Sequence, residues 1–156
     1  MKFIFLNLQS AKEEWSDQAI QLYQKKISHF VKLEMKTIKG ENFNRSFKEA
    51  RVEKESQKIF DFLEKDDFLI VFDEKGKSLN SLDFSKNINL ILNSGKKRVV
   101  FLIGGAFGLS DELKKRANLN VSLSNLTFNH LIAQLIVLEQ IYRSFSILNN
   151  LPYHNE

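Results

Sequence analysis

Two short runs of this sequence contain only apolar side chains, and they restrict the possible fold more than any other feature. The runs are FLIVF at 68–72 and VVFLI at 99–103. A strand without a polar face must be covered on both sides, as in a parallel sheet flanked by helices. A third β-rich run, KFIFLNL, occupies residues 2–8. The sequence therefore predicts an α/β fold with a largely parallel sheet and helices on both faces.

The remaining segments alternate between helical and strand-like patterns. Residues 11–30 repeat apolar side chains such as Trp15, Leu22 and Ile27 at helical spacing. Strands are also expected at 32–39 and 120–124, and helices at 46–66, 82–94, 111–118 and 129–148. Candidate helix caps are a Ser46/Glu49 capping box, Ser81 and Ser110, with Gly95 as a stop signal. We find no internal repeat or linker, so residues 1–156 are predicted to form one domain.

Composition limits the class of protein. An apolar share of 43% and a charged share of 27% are ordinary for a globular chain. No uninterrupted apolar run approaches the roughly 20 residues that span a bilayer, and no small-residue cleavage site follows the first strand. Cysteine is absent, which fits a reducing compartment. These features predict a cytoplasmic protein that does not span a membrane.

Charge and histidine content say little about ligands. The net charge of +4 favours a polyanionic partner only mildly. His29, His130 and His154 lack the spacing of a metal site. We therefore expect no metal.

The glycine-rich segment GGAFG at 104–108 lies where the second apolar run ends. A P-loop would need lysine after the last glycine, but Leu109 follows, and the G-x-G-x-x-G spacing of dinucleotide sites is absent. Asp111 and Glu112 disfavour an anion at the next helix start. Spacing alone thus favours a tight turn, although ligands of open α/β sheets bind at the carboxyl ends of strands. The exits FDEKGK, GGAFG and SNLTFN would meet there and suit a neutral or zwitterionic ligand with an adenine-sized ring.

Three segments together resemble the RlmH family of ribosomal RNA methyltransferases. They are FLIGGAFGLS, SLSNLTFNHLIAQLIVLEQIYRSFSI and the terminal PYHNE. The resemblance covers the whole chain and is most specific over 99–154. It implies a SPOUT-type α/β fold with a C-terminal trefoil knot, a homodimer, and S-adenosylmethionine as cofactor. The implied reaction is methylation of N3 of a pseudouridine in 23S ribosomal RNA of the large subunit.

The resemblance also implies roles for individual residues. The cofactor-lining positions that it carries over are Phe72, Gly104, Gly105, Ser124, Asn125, Leu126, Thr127, Phe128 and Asn129. Arg143 is expected to stabilise charge on the uracil-type oxygens, and Tyr153 or His154 to relay the N3 proton. His130 is the fourth candidate catalytic residue. The tail is expected to close over the pocket of its own or the partner subunit.

The residues by themselves leave other interpretations open. His130 equally fits a helix-start histidine bonded to backbone, Arg143 an exposed arginine paired with Glu139 at i,i+4, and the tail a disordered end. The stripe 131–145 of the last helix fits core or a dimer seam. Two positions depart from the family, since Asn129 stands where proline is usual and Gln134 where arginine is usual. A SPOUT enzyme acting on transfer RNA, or a non-catalytic module that binds RNA or the cofactor, remain alternative functions.

Overall fold

The computed structural model describes residues 1–8, 13–40, 47–105 and 107–154. Strands alternate with helices throughout, and every element that the sequence predicts is present. The elements in chain order are β1 (Lys2–Leu8), α1 (Glu14–Ser28), β2 (Lys32–Ile38), α2 (Lys48–Phe62), β3 (Phe68–Ser78), α3 (Ser81–Leu92), β4 (Arg98–Ile103), α4 (Asp111–Arg116), β5 (Leu119–Ser122) and α5 (His130–Leu148).

The five strands form one sheet in the order β2-β1-β4-β3-β5, and every pairing is parallel. The side chains of β4 alternate between two apolar layers. Phe101 packs with residues of α1, α3 and α5, whereas Leu102 packs with Ile59 of α2 and Leu113 of α4. Covering on both faces explains why the runs 68–72 and 99–103 contain no polar residue, and it confirms the predicted architecture.

The exit of β3 differs from the prediction. The polar residues EKGKSLNS at 74–81 predict a loop after the apolar run 68–72, but the strand extends to Ser78 and pairs with β5 again after a register shift between Phe72 and Lys77. A Cβ at Gly76 would lie 2.5 Å from the carbonyl carbon of Val121. Only glycine lets the two backbones approach so closely, and this contact between distant segments leaves no local signal.

The helix caps agree with the sequence only in part. Ser110 accepts a hydrogen bond from the Leu113 N–H at 3.3 Å, as predicted for α4. For α3 the prediction of Ser81 is wrong, because Asn80 is the cap and accepts from the Asp83 N–H at 2.7 Å. The Ser46 side of the predicted capping box lies outside the described residues.

The last helix spans the core. Among the described residues, α5 alone is long and apolar enough to cross a membrane by length and composition, a test that core helices also pass. Its residues Val137, Leu138 and Ile141 are fully buried against the sheet and neighbouring helices. We therefore interpret α5 as a core helix. The trefoil knot implied by the resemblance stays a prediction.

Candidate functional site

Three neighbouring strands end at one cavity. Because β4, β3 and β5 are adjacent and parallel, their carboxyl ends share an edge of the sheet. The residues that follow them line a cavity of about 770 Å³, and these include Phe72, Gly104, Gly105, Thr127 and Phe128. The prediction that the three exits meet is confirmed.

The segment between β5 and α5 forms one wall. Ser124, Leu126, Thr127 and Phe128 line a smaller cavity of about 150 Å³ beside Phe72. The Leu126 N–H donates to the Ser124 hydroxyl at 2.9 Å, which bends the segment. Within the described part of the chain, the N–H groups of the other residues at 125, 127 and 128 have no hydrogen-bond partner. Their backbone is thus free to bond a ligand.

Two of the carried-over positions do not line these cavities with their side chains. Asn125 is exposed and borders neither of them. The Asn129 side chain accepts a hydrogen bond from the Leu131 N–H at 2.8 Å and so caps α5. Asparagine at 129 is therefore explained by helix capping, a role that proline lacks the side chain to fill.

The glycine pair packs against protein atoms. A Cβ at Gly105 would lie 3.1 Å from Oε2 of Glu55 and 3.2 Å from Cδ1 of Leu8, and one at Gly104 would lie 2.8 Å from Cγ of Leu109. The Gly108 N–H donates to the Gly105 carbonyl at 3.0 Å, so the tight turn favoured by spacing is also present. Both glycines border the cavity, and the space that a Cβ would occupy at each of them is already filled by protein atoms.

His130 combines the two roles that the sequence left open. It lines the cavity and also bonds to the backbone of Gly104. Its Nε2 is buried and has no hydrogen-bond partner among the described residues. Burial lowers the pKa of His130, and the Gly104 contact, which acts in the opposite direction, is the smaller effect. The imidazole is therefore neutral at physiological pH.

Charged side chains from α2 and α4 border the same cavity. Arg51 lies on the wall, with its Nε 2.8 Å from Oε1 of the buried Glu55 and its guanidinium carbon 5.2 Å from the centre of the Phe107 ring. Lys114 pairs with Asp73 at 2.8 Å. The cavity thus carries both signs of charge, which suits a zwitterionic ligand. Sequence reasoning missed these residues because no local pattern links α2 to the glycine loop.

The C-terminal tail folds back on the end of α5. Arg143 donates from Nε and Nη2 to Oε1 of Glu139 at 2.9 and 2.6 Å, and the Tyr153 hydroxyl donates to the same oxygen at 3.1 Å. Nδ1 of His154 lies 3.2 Å from Nη1 of Arg143. The structure therefore brings Arg143, Tyr153 and His154 together. It also confirms the Glu139–Arg143 pair.

The chemistry of this cluster is that of hydrogen-bond donors. Its hydrogen bonds with Glu139 raise the pKa of Arg143. Burial, followed by the hydrogen bond with Tyr23, raises the pKa of Tyr153 well above its usual range. The phenol therefore stays protonated at neutral pH and is unsuited to accept a proton there.

The cavity and the tail cluster lie at opposite ends of α5. At 1.5 Å per residue, Arg143 is about 20 Å farther along the helix axis than His130. Tyr153 contacts Glu139 and His154 contacts Arg143, so the tail stays at the far end. Within a single chain, the candidate cofactor-binding residues at the cavity are therefore separated from Arg143, Tyr153 and His154.

Comparison with known proteins decides the family. The family described as "Predicted SPOUT methyltransferase" matches residues 1–154 of the chain. The chain belongs to this family. It is 46% identical over 155 residues to "Ribosomal RNA large subunit methyltransferase H" of Bdellovibrio bacteriovorus, with 99% of both chains covered. It is 39% identical over 140 residues to the protein of that name from Parabacteroides distasonis, covering 89% of each. The resemblance to the RlmH family is thereby confirmed.

A solved structure agrees on the fold. A "probable methylase family protein" from Haemophilus influenzae superposes with a TM-score of 0.56 at 10% sequence identity, covering 99% of this chain and 70% of that one. At such low identity the likeness concerns the fold alone. Three or more acidic, histidine or cysteine side chains grouped as for a metal ion do not occur among the described residues.

Proposed function

We propose that this protein is an S-adenosylmethionine-dependent methyltransferase acting on N3 of a pseudouridine in the RNA of the large ribosomal subunit, in the cytoplasm. The observation that carries this proposal is the 46% identity, across 99% of both chains, to a protein named as a large-subunit ribosomal RNA methyltransferase. In this proposal the cofactor binds in the cavity at the ends of β3, β4 and β5.

The residues around the cavity fit S-adenosylmethionine. Phe72 and Phe128 offer apolar surface to an adenine ring, and the free N–H groups of Thr127 and Phe128 can bond its nitrogens. Arg51 and Asp73 provide charges of both signs for the amino-acid part. When bound, the cofactor supplies a methyl group already activated on a sulfonium. The protein must therefore align the base, exclude water and manage one proton.

Arg143 is suited to the charge that develops on the base. Loss of the N3 proton leaves negative charge on the flanking carbonyl oxygens, which a fixed guanidinium stabilises. Nη1 of Arg143 faces Nδ1 of His154, and because a guanidinium only donates, that nitrogen accepts. The tautomer that accepts at Nδ1 carries its proton on Nε2 and can donate from there. Because the Tyr153 hydroxyl already donates to Glu139, we infer that Arg143 and His154 donate to substrate oxygens while Tyr153 holds their arrangement, so that the N3 proton passes to solvent.

The distance between cavity and tail supports an active site shared by two protomers. The outward side of α5 carries Ile132, which is 36% exposed, and the half-buried Leu135 and Ile136. When one face of a helix is packed in the core and its opposite face also exposes apolar side chains, that exposed face is typical of a subunit interface. We propose a homodimer in which the tail of one protomer covers the cavity of the other.

Methyl transfer to ribosomes tests the reaction. Large subunits that lack the modification should accept a radiolabelled methyl group, and mass spectrometry should place it on N3 of one pseudouridine. Transfer to transfer RNA instead would contradict the substrate. Binding of S-adenosylmethionine without transfer to any RNA would favour a non-catalytic module.

Mixing two inactive variants tests the shared site. Thr127→Trp fills the cavity from an exposed position, and removal of residues 153–156 deletes the tail. If each site takes its cavity from one protomer and its tail from the other, an exchanged mixture should regain about a quarter of wild-type activity, because half of the dimers have one intact site. No recovery in a mixture shown to contain heterodimers would contradict the shared site.

A further inference from the structure

Helix α1 contributes two side chains to the tail cluster. The hydroxyl oxygens of Tyr23 and Tyr153 lie 3.3 Å apart. Nζ of Lys26 lies 5.4, 5.0 and 5.7 Å from the ring centres of Tyr23, Tyr142 and Tyr153. One ammonium group therefore faces three aromatic rings, of which two belong to helices and the third to the tail.

The rings also contact one another. Tyr142 meets Tyr153 edge-on with ring centres 4.8 Å apart, and meets Tyr23 at 6.1 Å. On its other side Tyr153 has the guanidinium of Arg143, 4.7 Å from its ring centre. Tyr153 is thus enclosed by two cations and two rings, an arrangement in which each cation is attracted to the aromatic face.

The backbone of the tail makes only local hydrogen bonds among the described residues. The Leu151 N–H donates to the Ser146 carbonyl at 2.9 Å, and the Tyr153 N–H donates to the Leu151 carbonyl at 2.8 Å. These bonds shape the turn but do not attach it to α1. The tail is attached to α1 by the contacts of the Tyr153 side chain with Tyr23 and Lys26.

We propose that Tyr23 and Lys26 are positioning residues that hold the C-terminal tail in the arrangement that presents Arg143 and His154 to the substrate. They act through Tyr153, which meets the Tyr23 hydroxyl and the Lys26 ammonium on one side and the Arg143 guanidinium on the other. This inference rests on the proposed role of the tail in methyl transfer. It adds α1, the first helix of the chain, to the elements on which the reaction depends.

Lys26→Met tests the inference, because it keeps the length of the side chain and removes the charge. Lys25→Met is the matched control, since Lys25 is the preceding residue of α1 and its side chain is exposed. Lys26→Arg keeps a cation for the rings. The measurements are hydrogen exchange of the backbone amides at 149–151 and 153–154, the Kd for S-adenosylmethionine, and kcat for methyl transfer to ribosomes.

For Lys26→Met we expect tail exchange to accelerate and kcat to fall, each by about tenfold, with the cofactor Kd unchanged. Lys26→Arg should recover most of both changes, and Lys25→Met should show neither. In a chain that lacks residues 153–156, Lys26→Met should change neither the cofactor Kd nor the residual kcat, because Lys26 acts through Tyr153.

Two results separate this inference from the function on which it rests. Tail exchange at the wild-type rate in Lys26→Met would overturn the anchoring role. Accelerated exchange with unchanged kcat would leave the anchoring in place and overturn the catalytic role of the tail.

Discussion

Replacing Gly105 by alanine tests whether the glycine loop is held against α2. The new Cβ would lie 3.1 Å from Oε2 of Glu55 and 3.2 Å from Cδ1 of Leu8, a few tenths of an ångström closer than ordinary contact. Glu55 and Leu8 are each 2% exposed, and Glu55 is bonded to Arg51, so neither side chain can turn into solvent. The loop backbone must therefore lift toward the cavity.

The size of the effect follows from these contacts. Overpacking of a filled site costs about 1–3 kcal/mol, and the lower part of this range applies because both contacts are with ends of side chains. A loss of about 1–2 kcal/mol lowers the Tm of a chain of this length by roughly 2–8 °C. Since the same backbone borders the cavity, we expect the Kd for S-adenosylmethionine to rise about tenfold, equivalent to about 1.4 kcal/mol.

Gly95→Ala is the matched control. Gly95 has φ of +73°, and a Cβ there would meet nothing within 4 Å. Alanine in this left-handed conformation costs about 1 kcal/mol, and the position lies before β4, at the edge of the sheet opposite the cavity. Thermal unfolding followed by circular dichroism should show a comparable loss of Tm, while calorimetry should show an unchanged cofactor Kd.

Two outcomes would refute the reasoning on Gly105. Wild-type Tm and wild-type cofactor Kd in Gly105→Ala would show that Glu55 and Leu8 do not confine the loop. An equal rise of Kd in Gly95→Ala would show that cofactor affinity merely follows overall stability. A larger residue such as valine is less informative, because the structure indicates a clash with the core rather than with the ligand space.

Further predictions concern pH, the tail and a helix cap. Burial holds the pKa of His130 below its usual 6.5 in the folded chain. The free energy of unfolding should therefore decrease as the pH falls below 6.5, because there the unfolded chain takes up this proton and the folded chain does not. Urea denaturation at a series of pH values should show a smaller decrease below pH 6.5 for His130→Gln. Glu139→Gln weakens the hydrogen bonds that Arg143 and Tyr153 make with residue 139, so the rate of methyl transfer should fall by about 10²-fold while the cofactor Kd stays unchanged. The control is Asp83→Asn, which removes an exposed ion pair and should not change the rate of methyl transfer. Asn80→Ala should lower the free energy of unfolding by about 1 kcal/mol in chemical denaturation if Asn80 caps α3; no loss would contradict the cap.

The sequence predicted those features that depend on burial or on local spacing. The strands at 68–72 and 99–103 were recognisable because both of their faces are apolar, and parallel pairing then required their exits to meet. The Ser110 cap and the Glu139–Arg143 pair follow from spacings of three and four residues. Such signals lie within one element and need no knowledge of the rest of the fold.

Contacts between distant segments were not predictable in this way. The polar stretch after Asp73 was interpreted as a loop, because only its pairing with β5 makes it a strand. Likewise Arg51 and Glu55 reach the glycine loop, and Tyr23 and Lys26 reach the tail, across separations that no local periodicity encodes. For α3, two neighbouring residues could each cap the helix, and spacing did not distinguish Asn80 from Ser81.

Gln134 illustrates how the structure changes an interpretation. The sequence placed glutamine where the family usually has arginine, which removed one positive charge from the expected site. Gln134 is 2% exposed, and its Nε2 has no partner among the described residues. Gln134 does not line the cavity, and we propose that Lys48, Arg51 and Lys114 on its walls provide the positive charge there.

The length of α5 sets the geometry that the proposed homodimer must satisfy. The helix begins with His130 at the cavity and ends near Arg143 and the tail, about 20 Å away. A twofold axis that passes close to the middle of α5, perpendicular to the helix, would place the start of one α5 near the end of the other. Ile132, Leu135 and Ile136 lie between the two ends and provide apolar contact for such packing. The same axis that buries this stripe would therefore bring the tail of one protomer to the cavity of its partner, so that dimer formation and assembly of the active site become a single event.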